Sequence, residues 1–178
     1  MARPSHTFLL SCTALCLALV APAPAPGTAS SRKSAAELAD VKRAIESVSR
    51  RYSLDTGAFR LIAPEQLEIT TDATALETII KNILDNAVKY SPSPPPPVEV
   101  TLRPAPSGQI EICVRDQGIG IERTQLKRIF KRFHRVPSPA VNERSGTGLG
   151  LYVVAQLLRS LGGSIRAESA GADLGTTL

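Results

Sequence analysis

The stretch "VRDQGIGI", residues 114–121, couples one carboxylate to two glycines. A strand-like run, Ile110–Val114, leads into Asp116, and Gly118 and Gly120 follow at alternate positions. A carboxylate at a strand end accepts a hydrogen bond, and a backbone without side chains admits a flat ring beside it. A purine answers that description. A second group is Asn82, Asn86, Lys89 and Tyr90, which recur at i, i+4, i+7 and i+8 and so share one helix stripe. Two asparagines one turn apart, flanked by apolar residues, are expensive to bury without partners. A third is "SGTGLGL", with Gly146, Gly148 and Gly150 at alternate positions where a helix begins. Helix N-termini carry unpaired N–H groups and a partial positive charge, and glycines let a phosphate come close to them.

Each group alone has an ordinary reading too. The asparagine stripe suits a helix face turned to solvent, and alternate glycines suit a tight turn. What gives the groups weight is the set of elements that must position them. Leu38, Val41, Ile45 and Val48 recur at helical spacing from Ser34 onward. "FRLIA" and "LEIT" read as two short strands. A helix then runs from about residue 72 to Tyr90, with Thr71, Asp72 or Thr74 as cap; Thr74 with Glu77 fits the capping box. Its core stripe is Leu76, Ile79, Ile80, Ile83, Leu84 and Ala87. "SPSPPPP" ends it, because proline has no N–H to give. Strands follow at 98–103 and 109–115, then a helix at 124–130, a polar loop "PSPAVNERSGTG", and a last helix at about 149–161. "GSIRAES" and "GTTL" are closing strand candidates, and no internal repeat is visible. Hairpin-paired strands with helices apolar on one face predict an α+β two-layer sandwich, a mixed and mainly antiparallel sheet packed on about three helices.

The chain has 178 residues, 43% apolar and 21% charged, with a net charge of +5. That is a globular balance, and the basic residues are scattered, as on a solvated surface rather than a nucleic-acid face. Cys12, Cys16 and Cys113 have no metal-ligand spacing and suit small buried hydrophobes. Residues 1–30 stand apart. Arg3 and His6 precede an apolar run from Thr7 to Ala21, then "APAPAPGTAS", with a cleavage-like position after Ala29. The run is short for a membrane span. A secretory leader, an upstream stretch outside the working protein and an uncleaved anchor all remain open. The alternating Pro and Ala favour an extended linker with few contacts to residues 31–178, which form the domain.

Taken in order, the groups resemble one family. "NILDNAVKYS", "DQGIGI", "IFKRFHRV", "GTGLGLYVV" and "LGTTL" are similar to the successive motifs of the ATP-binding catalytic domain of sensor histidine kinases. That fold is shared with gyrase, heat-shock and mismatch-repair ATPases, and the match covers about residues 37–178. The resemblance implies MgATP as ligand. It gives Asp116 the exocyclic amino group of adenine, and Gly118 and Gly120 the task of clearing room for the ring. It gives Asn86 to Mg2+ through its amide oxygen, Lys89 to the phosphates and Tyr90 to the nucleoside. It adds Asn82, Ile121, Gly146, Thr147, Gly148, Leu149, Gly150 and Thr176 to the nucleotide site. Residues 121–147 become a lid, anchored by Phe130 and Phe133, with Arg132 or Arg135 reaching the phosphates or serving only as surface charge. The implied partners are a histidine-bearing dimerisation hairpin and a response regulator, with no nucleic acid. The implied place is the cytoplasmic face, with membrane association through the leader or a partner; an exported leader conflicts with that.

Asn82 separates kinase from hydrolase. In the ATPase relatives that position is a glutamate base, and an amide takes no proton at neutral pH. The site itself therefore carries no catalytic acid or base. The only histidines are His6 and His134, neither on a helical hairpin, so a phosphoacceptor is expected from outside the domain. A non-catalytic module that binds nucleotide and sequesters a signalling partner is the alternative reading.

Overall fold

The computed structural model describes residues 17–19, 34–65, 68–92, 97–106 and 109–178. The cleavage-like position after Ala29, His6, Cys12 and Cys16 lie outside the described residues. Three strands form the body of the main sheet: β3 (Phe59–Ile62), β5 (Val98–Ala105) and β6 (Gln109–Arg115). β3 pairs β5 in parallel from Phe59↔Val98 to Ile62↔Thr101, and β5 pairs β6 antiparallel from Glu99↔Arg115 to Ala105↔Gln109. β1 (Leu17–Leu19) lies antiparallel on the far side of β6. The N-terminal segment, expected to make few contacts, thus contributes a strand. A separate two-stranded ladder joins β2 (Ser34–Glu37) to β4 (Glu68–Thr71).

The second layer is helical. α2 (Ala73–Lys89) lies between α1 (Leu38–Tyr52) and α4 (Gly150–Ser160) and also touches β5 and β6. This is the expected α+β sandwich. All six residues of the anticipated α2 stripe are at most 3% exposed, and they pack with Val41, Val48, Val100, Ile112, Val154 and Leu158. Among the described residues no helix is long and apolar enough to cross a membrane.

Several local expectations fail for identifiable reasons. α2 is capped by Asp72, whose side chain accepts from Ala75 N at 3.0 Å; Thr74 lies inside the helix and bonds onward through Thr78. Asp72 was one of the three expected caps, and only the capping-box pattern at Thr74 pointed two residues too far. Residues 124–130 form successive turns rather than a helix, held by bonds such as Arg128 N to Gln125 O. The loop after them carries a short helix, α3 (Pro139–Asn142), capped by Ser138. "GSIRAES" is no strand beyond a single bridge, Glu168 to Thr177, and Thr177 also bridges Arg115.

Candidate functional site

The end of α2, the end of β6 and the start of α4 meet around one cavity of about 720 Å³. Asn82, Asn86, Lys89 and Tyr90 face it from α2. Asp116, Gly120 and Ile121 face it from beyond β6, Gly146, Thr147, Gly148 and Gly150 from the glycine loop, and Thr176 from the C-terminal segment. Gly118 and Leu149 support it without lining it.

Asp116 is fixed by backbone. Its Oδ1 accepts from Gly118 N at 2.8 Å and from Thr176 N at 3.0 Å. Its main chain pairs with the C-terminal segment, Asp116 N donating to Thr176 O at 2.9 Å. Oδ2 makes no hydrogen bond to a described residue and is left for the cavity. Burial raises the carboxyl above the ordinary aspartate pKa, against the lowering effect of the Gly118 and Thr176 amides.

The glycines do something other than clear room for a ring. A Cβ on Gly118 would lie 2.5 Å from the Tyr90 carbonyl oxygen. One on Gly120, which has φ +65°, would run into the Gly171 carbonyl. Backbone fills the space beside both. Ile119 N donates to Tyr90 O at 3.0 Å, so the glycines let the end of β6 and the end of α2 close on each other.

The α2 stripe is organised by its own helix and by the glycine loop. Asn82 Nδ2 donates to Thr78 O at 2.8 Å, which directs its oxygen toward Gly150, where a Cβ would sit 3.0 Å from it. The Asn86 side chain makes no hydrogen bond to a described residue. Lys89 has no carboxylate partner among the described residues; its ammonium lies against Gly146 and 5.2 Å from the centre of the Tyr90 ring. α4 starts without a side-chain cap, so its first N–H groups are unclaimed by any capping side chain. An unpaired lysine, an uncapped helix start and glycine backbone form a pocket suited to phosphate.

The two lid arginines are placed differently. Arg132 is exposed, stacks 4.7 Å over the Phe133 ring and does not line the cavity. Phe133 is 61% exposed, with φ +60°, and anchors nothing, whereas Phe130 packs on the core. Arg135 does line the cavity, but its Nη2 donates to the carbonyls of Val141 and Arg144, so it braces the lid from within. Arg144 donates to the Lys89 carbonyl and ties the lid to α2. Arg144 has no signal in sequence beyond its place before the glycine loop. The expectation also missed Tyr52 and Asp85, which line the cavity beside α2. Arg51 holds Asp85 at 2.5 Å; burial and then the Asp85 charge raise the Tyr52 hydroxyl, with Arg51 opposing.

Residues 71–178 match the model of the histidine kinase-, DNA gyrase B- and HSP90-like ATPase family. The chain belongs to this family. It has the form of the ATP-binding catalytic domain found in sensor histidine kinases. It is 34% identical over 109 residues to the sensor histidine kinase AtsR of Burkholderia thailandensis, covering 61% of the chain and 18% of AtsR. It is 40% identical over 115 residues to the sensor-like histidine kinase SenX3 of Mycolicibacterium smegmatis, covering 58% and 29%. The solved structure of the mycobacterial sensor histidine kinase MprB superposes with a TM-score of 0.69 at 30% identity, covering 82% of this chain and 93% of that one. The chain spans less than a third of the length of these two curated relatives. The family match contains every candidate site residue except Tyr52.

Proposed function

We propose that the cavity binds MgATP and that the domain is the catalytic half of a protein-histidine kinase. The observation that carries this is Asp116: one carboxylate oxygen held by two backbone amides, the other left unpaired toward the cavity. Such an oxygen accepts the amino hydrogen of adenine, and guanine offers an oxygen at that position instead. Tyr90 flanks the nucleoside, and Lys89 with the α4 N-terminus takes the phosphates.

The donors in the cavity bear on Mg2+. Among the described residues no cluster of three His, Cys, Asp or Glu side chains is placed to hold a metal ion. The Asn86 amide oxygen is a free hard donor in the cavity, and Mg2+ is commonly held by few protein ligands together with substrate phosphates and water. The residues therefore fit a metal that arrives with the nucleotide. Bound there, the ion would neutralise charge on the phosphate oxygens. Lys89 adds positive charge, Asn82 positions without taking a proton, and the lid excludes water. The γ-phosphoryl group passes to a histidine on a helical hairpin docked beside the lid, and then to a response regulator. The work takes place where ATP is, on the cytoplasmic face, with membrane attachment through a partner or the N-terminal segment.

The test is titration with ATP, with and without Mg2+, followed by labelled ATP with and without a histidine-bearing hairpin from a related kinase. Binding with label on the hairpin is the expected result. The second reading is a non-catalytic module that binds nucleotide and sequesters a signalling partner. Tight ATP binding with no label on any of several hairpins decides for that module.

A further inference from the structure

The net charge of the chain is concentrated in the lid. Residues 122–135 hold six of the 21 Lys and Arg residues and one of the 16 Asp and Glu residues. That accounts for the whole excess of +5 and leaves the rest of the chain balanced. Elsewhere many cations are matched: Arg43, Arg51, Arg60, Lys81, Arg103 and Arg166 each reach a carboxylate. Within the lid, Arg123, Lys127, Arg128, Lys131 and Arg132 are all exposed, and none forms an ion pair with a described residue. The turns of this segment give it two faces. Gln125 and Ile129 are buried and line the cavity, and Phe130 packs on the core. Bonds from Arg128 N and Ile129 N to Gln125 O, and from Lys131 N to Arg128 O, hold the backbone between the faces. None of the five cations lines the cavity. Phe133 closes the outer face. It is 61% exposed, in a left-handed backbone that bulky side chains rarely adopt, with the Arg132 guanidinium 4.7 Å over its ring.

From this we infer that the outer face of the lid, Arg123 to Phe133, is a docking surface for an acidic protein. Five like charges crowded on one short segment repel one another, and a partner bearing carboxylates turns that repulsion into attraction. Left-handed strain at a residue outside the core fits a side chain held out for a contact. An arginine stacked on an aromatic ring is pre-set for forked pairing with a carboxylate, and arginine beside an aromatic is the composition of a protein interface. The face suits the other polyanions less well. A nucleic-acid backbone is followed by positive charge spread over a domain, whereas outside residues 122–135 this chain is balanced. An anionic bilayer holds a basic segment firmly only with a second, apolar signal, and Phe133 is the one exposed large apolar side chain in the segment. None of this depends on what the cavity binds.

The experiment uses the full chain and a fluorescent helical peptide rich in Glu, with a second peptide carrying Gln for every Glu. Binding is read by anisotropy at low salt. Wild type is expected to bind the acidic peptide and not its Gln counterpart. Lys127→Gln with Arg128→Gln and Lys131→Gln should weaken binding about tenfold or more, and Phe133→Ser about threefold. A charge-matched control at exposed cations elsewhere, Lys42→Gln with Arg50→Gln and Arg159→Gln, should stay within about twofold of wild type. Carbodiimide, which joins a carboxylate to a nearby lysine, should link the peptide to Lys127 and Lys131 of the wild type rather than to Lys42 or Lys81. That mapping decides where a variant fails to fold. Equal losses in the two triple variants, wild-type binding by Phe133→Ser, or cross-links at Lys42 and Lys81 overturn the inference. So does tighter binding to phosphatidylserine-containing vesicles, or to a DNA duplex, than to the peptide.

Discussion

Asp116→Asn separates ligand recognition from folding in a way the geometry dictates. Both backbone donors, Gly118 N and Thr176 N, reach the same carboxylate oxygen. Asparagine keeps an oxygen at that position, so both bonds survive. The change falls on Oδ2, which becomes an NH2 donor facing a cavity where an adenine amino group also donates. Leaving a donor unpaired in a desolvated site costs about 2 kcal/mol or more, which is about 30-fold in Kd. The folded protein, in contrast, loses a buried charge whose ionisation burial already opposes. Its melting temperature should hold or rise. Asp116→Ala is the contrast: it strips both amides of their acceptor and should lower binding and melting temperature together. Calorimetric titration with ATP, alongside thermal unfolding without ligand, reads both quantities. Wild-type affinity in Asp116→Asn would falsify the adenine role. A fall in melting temperature equal to that of Asp116→Ala would show that the oxygen assignment is wrong.

The pH dependence follows from the same group. Its folded pKa lies above the ordinary carboxyl value of about 4, so its contribution to stability is fully present below that value and is lost as pH rises through the raised one; ATP affinity should run oppositely, falling as the group gains its proton, and both trends should vanish in Asp116→Asn. Asn86→Ala should abolish the difference between ATP titrations in Mg2+ and in chelator, and Mg2+ without nucleotide should not bind measurably to wild type by calorimetry. Gly118→Ala pushes a methyl group to 2.5 Å from the Tyr90 carbonyl and should destabilise the fold by about 1–3 kcal/mol, read by denaturant unfolding. Wild type should release phosphate from ATP very slowly, and Asn82→Glu, which places a base beside Gly150, should speed it; rapid release by wild type in a phosphate assay contradicts the role given to Asn82.

What was legible in the sequence was whatever repeats with a physical period. The α2 stripe sits where its 3.6-residue spacing put it, and β5, β6 and α4 sit within a few residues of expectation. The site residues on those elements came with them, because Asn82, Asn86 and Lys89 ride on the same helix as the stripe. The segment between β6 and α4 was not legible. It has no long apolar period, and its order comes from side chains bonding backbone: Arg135 to two carbonyls, Arg144 to Lys89, Ser138 to Val141. An arginine that braces a loop and one that binds phosphate look alike in a sequence. Phe133 failed for a related reason, since its left-handed backbone turns on local turn geometry rather than on hydrophobicity. β1 was hidden because composition describes a segment and not the edge available to it.

The glycines show how motif and packing become one requirement. Gly118 admits the Tyr90 carbonyl, Gly146 admits the Lys89 ammonium, Gly150 admits the Asn82 amide, and Gly175 admits the Asp116 carbonyl. Each close approach joins two different elements: β6 to α2, the loop to α2, α4 to α2, and the C-terminal segment to β6. A side chain at Gly118 or Gly175 would meet backbone and wedge those elements apart, whereas one at Gly146 or Gly150 would displace the Lys89 or Asn82 side chain. The consequence reaches Asp116, because its two amide donors come from Gly118 on one side and from Thr176, next to Gly175, on the other. Moving either element by a few tenths of an ångström lengthens a bond that fixes the carboxylate. The glycines beside Asp116 therefore set the aim of its carboxylate in the cavity, and the room they leave for a ligand follows from that closure.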